Sequence, residues 1–284
     1  MALTMKGFPP WFQITRPHNC LGASLAVLLG AYLAEGPAVL SARPTLLAGI
    51  VVWCIVAGNN VVNDLHDLKV DRLQKPYRAL PSGRLAASTA SRMAWMLFLG
   101  SLILAGLIGA ASLLVALLAI ALGVLYSLSW KNSVLIGNGV VGLLSGLAVI
   151  YGGLAASRVD VRVLLAAASV GLFVFSREIL KTVADLEGDS RVGISTIATR
   201  MGSQATLRLF TALVGLFVLV IAAPWFIGYA SDSYLIAVNL GICIPFVVVT
   251  ALLWLRFSQA HLLLALKVTK MLWFIGLLAL GYLR

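Results

Sequence analysis

Nine long apolar runs, separated by short stretches of charge, glycine or proline, account for most of the chain. They extend over Cys20 to Ala34, Thr45 to Val62, Met93 to Ile108, Ala111 to Leu128, Val134 to Ala155, Val163 to Phe175, Leu207 to Gly228, Tyr234 to Leu255 and Leu262 to Leu283. A helix needs about 20 mostly apolar residues to cross a bilayer, so each run is predicted as a membrane span. The first and sixth are short and must recruit flanking residues. Helices satisfy their backbone polar groups internally, which hydrocarbon demands. The predicted fold class is therefore an all-α integral membrane protein with nine transmembrane helices.

Composition strengthens this reading. Of 284 residues, 61% are hydrophobic and 11% charged, whereas soluble chains carry about 25% charge. Disorder is excluded, because it requires low hydrophobicity and high charge. Residues Met1 to Pro17 are mixed, aromatic and proline-containing rather than a basic stub before an apolar core, so no cleaved signal peptide is expected. Cys20, Cys54 and Cys243 fall in apolar runs without ligand-like spacing and read as small buried hydrophobes. No linker, heptad run or low-complexity tract divides the chain, which is expected to form one domain over 1–284.

The net charge of +11 would suggest nucleic acid in a soluble protein, but its placement points to topology instead. With a cytoplasmic amino terminus, 17 Lys and Arg fall on the cytoplasmic side, from Lys6 and Arg16 to Lys267 and Lys270. Only Arg43, Arg158, Arg162 and Arg284 fall on the other. Cytoplasmic loops carry the excess of basic residues, and this bias fixes the expected orientation. The amino terminus and both acidic clusters described next are then cytoplasmic.

Seven of the ten acids sit in two short segments. Asn63-Asp64-Leu65-His66-Asp67-Leu68-Lys69-Val70-Asp71 ends the second span, and Glu178 through Asp185-Leu186-Glu187-Gly188-Asp189 ends the sixth. Asn63, Asp67 and Asp71 recur at i, i+4 and i+8, and Glu178, Asp185 and Asp189 at i, i+7 and i+11, so each set shares one helix face. A carboxylate at the centre of a membrane helix costs about 2.5 to 3.5 kcal/mol, and stacked acids repel, so such edges need a cationic partner. Carboxylate and amide oxygens are hard ligands suited to Mg²⁺, which shares itself with phosphate oxygens. The interleaved bases Arg72, Lys75, Arg78, Arg84, Arg177 and Lys181 suit the same polyanion, a diphosphate on a lipid tail.

These residues resemble a known family. Asn63-Asp64-x-x-Asp67-x-x-x-Asp71 followed by Arg72 and Lys75-Pro76-Tyr77-Arg78, with Asp185-x-x-x-Asp189 in the sixth span, is similar to the UbiA superfamily of intramembrane prenyltransferases. Arg16-Pro17-His18-Asn19 before the first span and Tyr126 with Lys131-Asn132 after the fourth extend the likeness over most of the chain. The resemblance implies a helix bundle around a central cavity open to lipid, with both Asp motifs facing each other at its cytoplasmic end. It implies a polyprenyl diphosphate donor held through Mg²⁺, ionised to an allylic cation that a hydrophobic acceptor captures. Arg16-Pro17-His18-Asn19-Cys20, Gly137-Asn138 and Arg177-Glu178-Ile179-x-Lys181 resemble most the branch that prenylates a glycerol phosphate ether lipid. Thr182 and Ala184 stand where that branch usually carries acids, which thins the second stripe.

Asn63, Asp67, Asp71, Asp185 and Asp189 are the expected metal and catalytic residues. Arg72, Lys75, Arg78, Tyr126, Lys131 and Lys181 are candidate diphosphate ligands; for the lysines and Arg78, positive-inside snorkelling is the alternative, and for Tyr126 an interfacial belt position. Arg16 and Asn19 are candidates for the acceptor's anionic group, Arg16 being equally suited to anchoring topology. Asp64 points about 100° from Asn63 and suits capping or support as well as ligation. Rival functions are an aromatic-acceptor prenyltransferase of the 4-hydroxybenzoate type, a terpene cyclase on the same scaffold, and a transporter. The last is disfavoured because transporter acids lie near the midplane in broken helices.

Overall fold

A computed structural model describes residues 7–191 and 193–284; Lys6, counted above among the cytoplasmic bases, lies outside them. Among the described residues all regular structure is helical, and nine helices are long and apolar enough to cross a membrane. These are α1 (Pro17–Glu35), α2 (Arg43–His66), α3 (Ala87–Ile108), α4 (Ala110–Leu128), α5 (Ile136–Ala155), α6 (Val161–Ala184), α7 (Ile197–Phe226), α8 (Asp232–Leu255) and α9 (Gln259–Leu283). The nine predicted runs each fall within or overlap one of them, and the short first and sixth runs do recruit their flanks. The chain is a multi-pass integral membrane protein.

The ends extend beyond the apolar runs for local reasons. Pro17 at the start of α1 lacks only an N–H that a first turn leaves unpaired. Asp160 caps α6 by accepting from the amides of Arg162 at 3.0 Å and Val163 at 3.2 Å. A capping box between Thr196 and Thr199 starts α7 ten residues before its apolar run, and Gly202 absorbs the resulting kink at φ 80°. Helix α6 lies at the heart of the bundle, packed mainly on α5 and α7. Its Phe173 meets Phe217 of α7 and Phe246 of α8 at ring centroid distances of 5.6 and 5.0 Å.

Small residues set the approach of α1 to α5. A methyl group at Gly30 would overlap the carbonyl of Val149, and one at Gly152 the carbonyl of Val27. Backbones that approach this closely gain van der Waals packing, the main attraction between helices in lipid. This contact fixes α1, which carries Arg16, His18 and Asn19 at its amino end, against the wall of the cavity described next.

Candidate active site

A cavity of about 1890 Å³ is lined by residues of α1, α2, α4, α5, α6 and α9 and of the loops at one end of the bundle. Its polar end gathers Asn63, Asp67, Asp71, Asp185 and Asp189 with Lys75, Arg78, Tyr126, Lys131, Lys181, Arg16 and Asn19. Apolar residues continue the lining away from that end: Val52 and Ile55 of α2, Val115 and Ala119 of α4, Leu144 and Tyr151 of α5, and Phe173 of α6.

Both acidic segments straddle a helix end. Helix α2 stops at His66 and a short helix, Leu68–Gln74, resumes after Asp67; α6 stops at Ala184 and another, Leu186–Arg191, resumes after Asp185. The helices expected to run unbroken through the motifs therefore falter at their central aspartates. The i to i+4 hydrogen bonds persist across the break, from Asp67 N to Asn63 O at 2.9 Å, Asp71 N to Asp67 O at 2.8 Å and Asp189 N to Asp185 O at 2.9 Å. That continuity keeps the acids on one face despite the bend, and Gln74 Nε2, donating to Gly188 O at 3.3 Å, ties the two short helices together.

The acids of the first segment are matched to bases from elsewhere in the chain. Asp71, only 3% exposed, accepts from Arg78 at 2.6 Å and lies 3.8 Å from Lys75. Asp67 pairs with Lys131 after α4. Asp64, also buried, pairs with Arg16 and lies 3.5 Å from Arg78. Desolvation makes each of these pairings obligatory, because a buried carboxylate without a partner is strongly penalised. In the second segment Glu178 contacts Arg177 at 3.2 Å and Lys181 at 3.4 Å. Asp185 and Asp189 have no Lys or Arg within 4 Å among the described residues. Burial and then the neighbouring Asp185 charge push the Asp189 carboxyl above its ordinary range. Burial, and then Arg78, hold the Lys75 amine below its own.

Two of the candidates are placed differently from the others. Arg72 is exposed and does not line the cavity; one residue after Asp71 on a helix is a turn of about 100°, which carries its side chain away. Arg16 does line the cavity, but its guanidinium is engaged by Asp64 rather than held out for a ligand. Its backbone is also left-handed, at φ 52°, ψ 64°, a conformation rare outside glycine and asparagine and often found where function constrains the chain.

Sequence reading did not single out Asn59 or Lys270 as cavity residues, and Arg177, read there as one of the interleaved bases, does line the cavity. Asn59 lies one turn before Asn63, a spacing that could have been noticed, and α4 leaves room for it only because Gly123 has no side chain there. The Oδ1 of Asn59 and the Nδ2 of Asn63 are buried without hydrogen-bond partners.

No three of His, Cys, Asp and Glu converge as a ready-made metal cage among the described residues. This donor set instead fits a hydrated hard cation bound by few protein oxygens and completed by substrate phosphates. The unpartnered oxygen of Asn59 is one group that such a cation or its waters would satisfy.

Residues 23–281 match the model of the UbiA prenyltransferase family. The digeranylgeranylglyceryl phosphate synthase of Sulfolobus acidocaldarius is 33% identical over 229 residues, covering 80% of this chain and 82% of that protein. That of Methanococcus maripaludis strain C5 is 30% identical, covering 82% of each. A solved structure described as digeranylgeranylglyceryl phosphate synthase in membranes aligns with a TM-score of 0.77 at 28% identity, covering 98% of both chains. A UbiA homologue from Archaeoglobus fulgidus, bound to GPP and Mg²⁺, aligns with a TM-score of 0.74 at 18% identity, covering 95% of this chain and 99% of that one. A family match spanning nearly all of the described helices, on top of two acidic segments meeting over one cavity, leads to one conclusion: the chain belongs to the UbiA prenyltransferase family.

Proposed function

We propose that this protein, acting as one domain over its whole length, transfers a geranylgeranyl group from its diphosphate to the free hydroxyl of a geranylgeranylglyceryl phosphate, with Mg²⁺ at the two acidic segments. The observation that carries this reading is the convergence of Asn63, Asp67, Asp71, Asp185 and Asp189 with Lys75, Arg78, Lys131 and Lys181 at the polar end of a cavity whose remaining walls are apolar. That arrangement suits a diphosphate head and a prenyl tail. The named relatives support the acceptor.

Asn63, Asp67, Asp71, Asp185 and Asp189 would hold the Mg²⁺, which would supply charge neutralisation for the departing diphosphate. Lys75, Arg78, Lys131 and Lys181 donate to the diphosphate oxygens. As the carbon–oxygen bond of the donor breaks, its electron pair leaves with the diphosphate, and charge grows on the oxygens these cations face. They therefore stabilise the transition state more than the ground state. The Tyr126 hydroxyl, beside the same end, adds a neutral donor. The walls from Val52 to Phe173 keep water from the allylic cation. The acceptor hydroxyl oxygen then bonds to that carbon, and its proton passes to the released diphosphate. The cavity opens sideways to lipid for donor and acceptor to enter, and the amino terminus and polar end face the cytoplasm, as the distribution of bases argues.

The test offers purified protein Mg²⁺, geranylgeranyl diphosphate and an equimolar mixture of geranylgeranylglyceryl phosphate and 4-hydroxybenzoate, with products read by mass spectrometry. The expected product is digeranylgeranylglyceryl phosphate. Preferential prenylation of the aromatic acid contradicts the acceptor assignment, and a cyclised hydrocarbon formed from donor alone contradicts transfer.

A further inference from the structure

We propose that Lys270 and Arg177, with His18 beside them, form a second anion site that holds the phosphate of the acceptor lipid, separate from the diphosphate end; this rests on the proposed function. Lys270 stands eleven residues into α9, and the span beyond it carries no charge. An ionisable residue at such a position is costly, faces the bundle interior and ordinarily has a partner. Lys270 does face inward: Leu266, Lys270, Trp273 and Phe274, at i, i+4, i+7 and i+8, all line the cavity. Yet no carboxylate lies within 4 Å of its amine among the described residues.

Two neighbours share the condition. Arg177 spends one terminal nitrogen on Glu178 at 3.2 Å, while its Nε is buried without a hydrogen-bond partner. His18 lines the same cavity and lies within electrostatic reach of Lys270, Arg16 and Arg177 together. Arg16 itself is neutralised by Asp64. Of the basic side chains at the cavity on α1, α6 and α9, Arg16 and Lys181 are paired with acids, which leaves Lys270, the Arg177 Nε and the His18 ring. The acids of the first segment are paired with other bases, Lys131, Lys75, Arg78 and Arg16.

An ammonium and a guanidinium on the wall of one cavity suit a compact dianion such as a phosphate monoester. The adjoining Leu266, Trp273 and Phe274 offer apolar surface to the chain that carries it. The acceptor's anion therefore belongs to Lys270 and Arg177, while Arg16 serves as the partner of Asp64.

Binding in detergent, measured by isothermal titration without donor, compares geranylgeranylglyceryl phosphate with its phosphate-free alcohol. Wild-type protein is expected to prefer the phosphorylated lipid by about tenfold or more, the scale of a charge-assisted hydrogen bond. Lys270→Gln removes most of that preference, Lys270→Arg keeps it, and neither changes the affinity for geranylgeranyl diphosphate with Mg²⁺, which also shows that the variants are folded. An unchanged preference in Lys270→Gln overturns the site, as does a donor affinity that falls as far as the acceptor's. Wild-type protein that shows the preference but transfers no prenyl group contradicts the proposed function instead and leaves the anion site standing.

Discussion

The side-chain amide of Gln74 donates to the backbone carbonyl of Gly188 at 3.3 Å, joining points 114 residues apart. Each partner belongs to a short helix that follows a broken span, so this contact closes the gap between the two acidic segments. One consequence is electrostatic. Asp71 of the first segment and Asp185 of the second both act on the Lys75 amine, so a single cation between the segments is shared by both. A diphosphate carrying Mg²⁺ would meet one continuous polar surface here.

The base that follows the first segment most closely is not the one that serves it. Arg78→Ala is expected to weaken donor binding by roughly 10- to 150-fold, the range for a lost charge-assisted hydrogen bond. Arg72→Ala should leave it within twofold, roughly the scatter of a neutral surface substitution. Titration of each variant with geranylgeranyl diphosphate and Mg²⁺ checks this, and equal losses would restore Arg72 to the site.

Asp189 gives a pH-dependent prediction. Its carboxyl is pushed up by burial and by Asp185, so the folded state holds its proton more tightly than the unfolded chain does. Ionised Asp189 therefore destabilises the fold at pH values above its folded pKa. Stability attributable to this group is recovered as pH falls through that value and is complete below the unfolded pKa. At pH 7 in EDTA, Asp189→Asn should raise the thermal midpoint in detergent, and with Mg²⁺ restored it should lower prenyl transfer. The gain should shrink at acid pH, where wild-type Asp189 is also neutral. A lower midpoint in Asp189→Asn at pH 7 would contradict the sign.

Orientation is tested by single cysteines. Labels at Ser82 and Ser190, which flank the polar end of the cavity, are expected to react only from the cytoplasmic side, and a label at Arg158, between α5 and α6, only from the other. Reaction of Ser82 and Arg158 from the same side contradicts nine alternating spans.

Much of this protein is legible in its sequence because lipid removes choices. A continuous apolar run has one stable solution in hydrocarbon, so all nine helices could be placed from hydropathy. The acid spacing identified the faces that meet. The helix breaks at Asp67 and Asp185 were not legible, since their backbone angles, φ −77° and −90°, are nearly helical and their bonding continues. Nor was the pairing of Arg16 with Asp64, 48 residues apart. Lys270 was read only as a cytoplasmic base, because a lysine in a span can snorkel outward or face inward and only packing decides which. Arg72 was the opposite case, where adjacency to Asp71 drew attention and the turn of the helix carried its side chain away from the cavity.

If the two segments act as one unit on one diphosphate, a mutant cycle on turnover reads their coupling. Removing a group that stabilises developing charge costs about 10²- to 10³-fold, and residues acting as a unit are not additive. Prenyl transfer by Asp67→Ala, Asp185→Ala and the double variant is measured with Mg²⁺ and with EDTA, on protein shown to be folded in detergent. Either single change is expected to remove nearly all turnover, the double variant to be scarcely worse, and EDTA to do the same to wild type. Full activity in EDTA or in either single variant, or losses that simply multiply in the double, would contradict it.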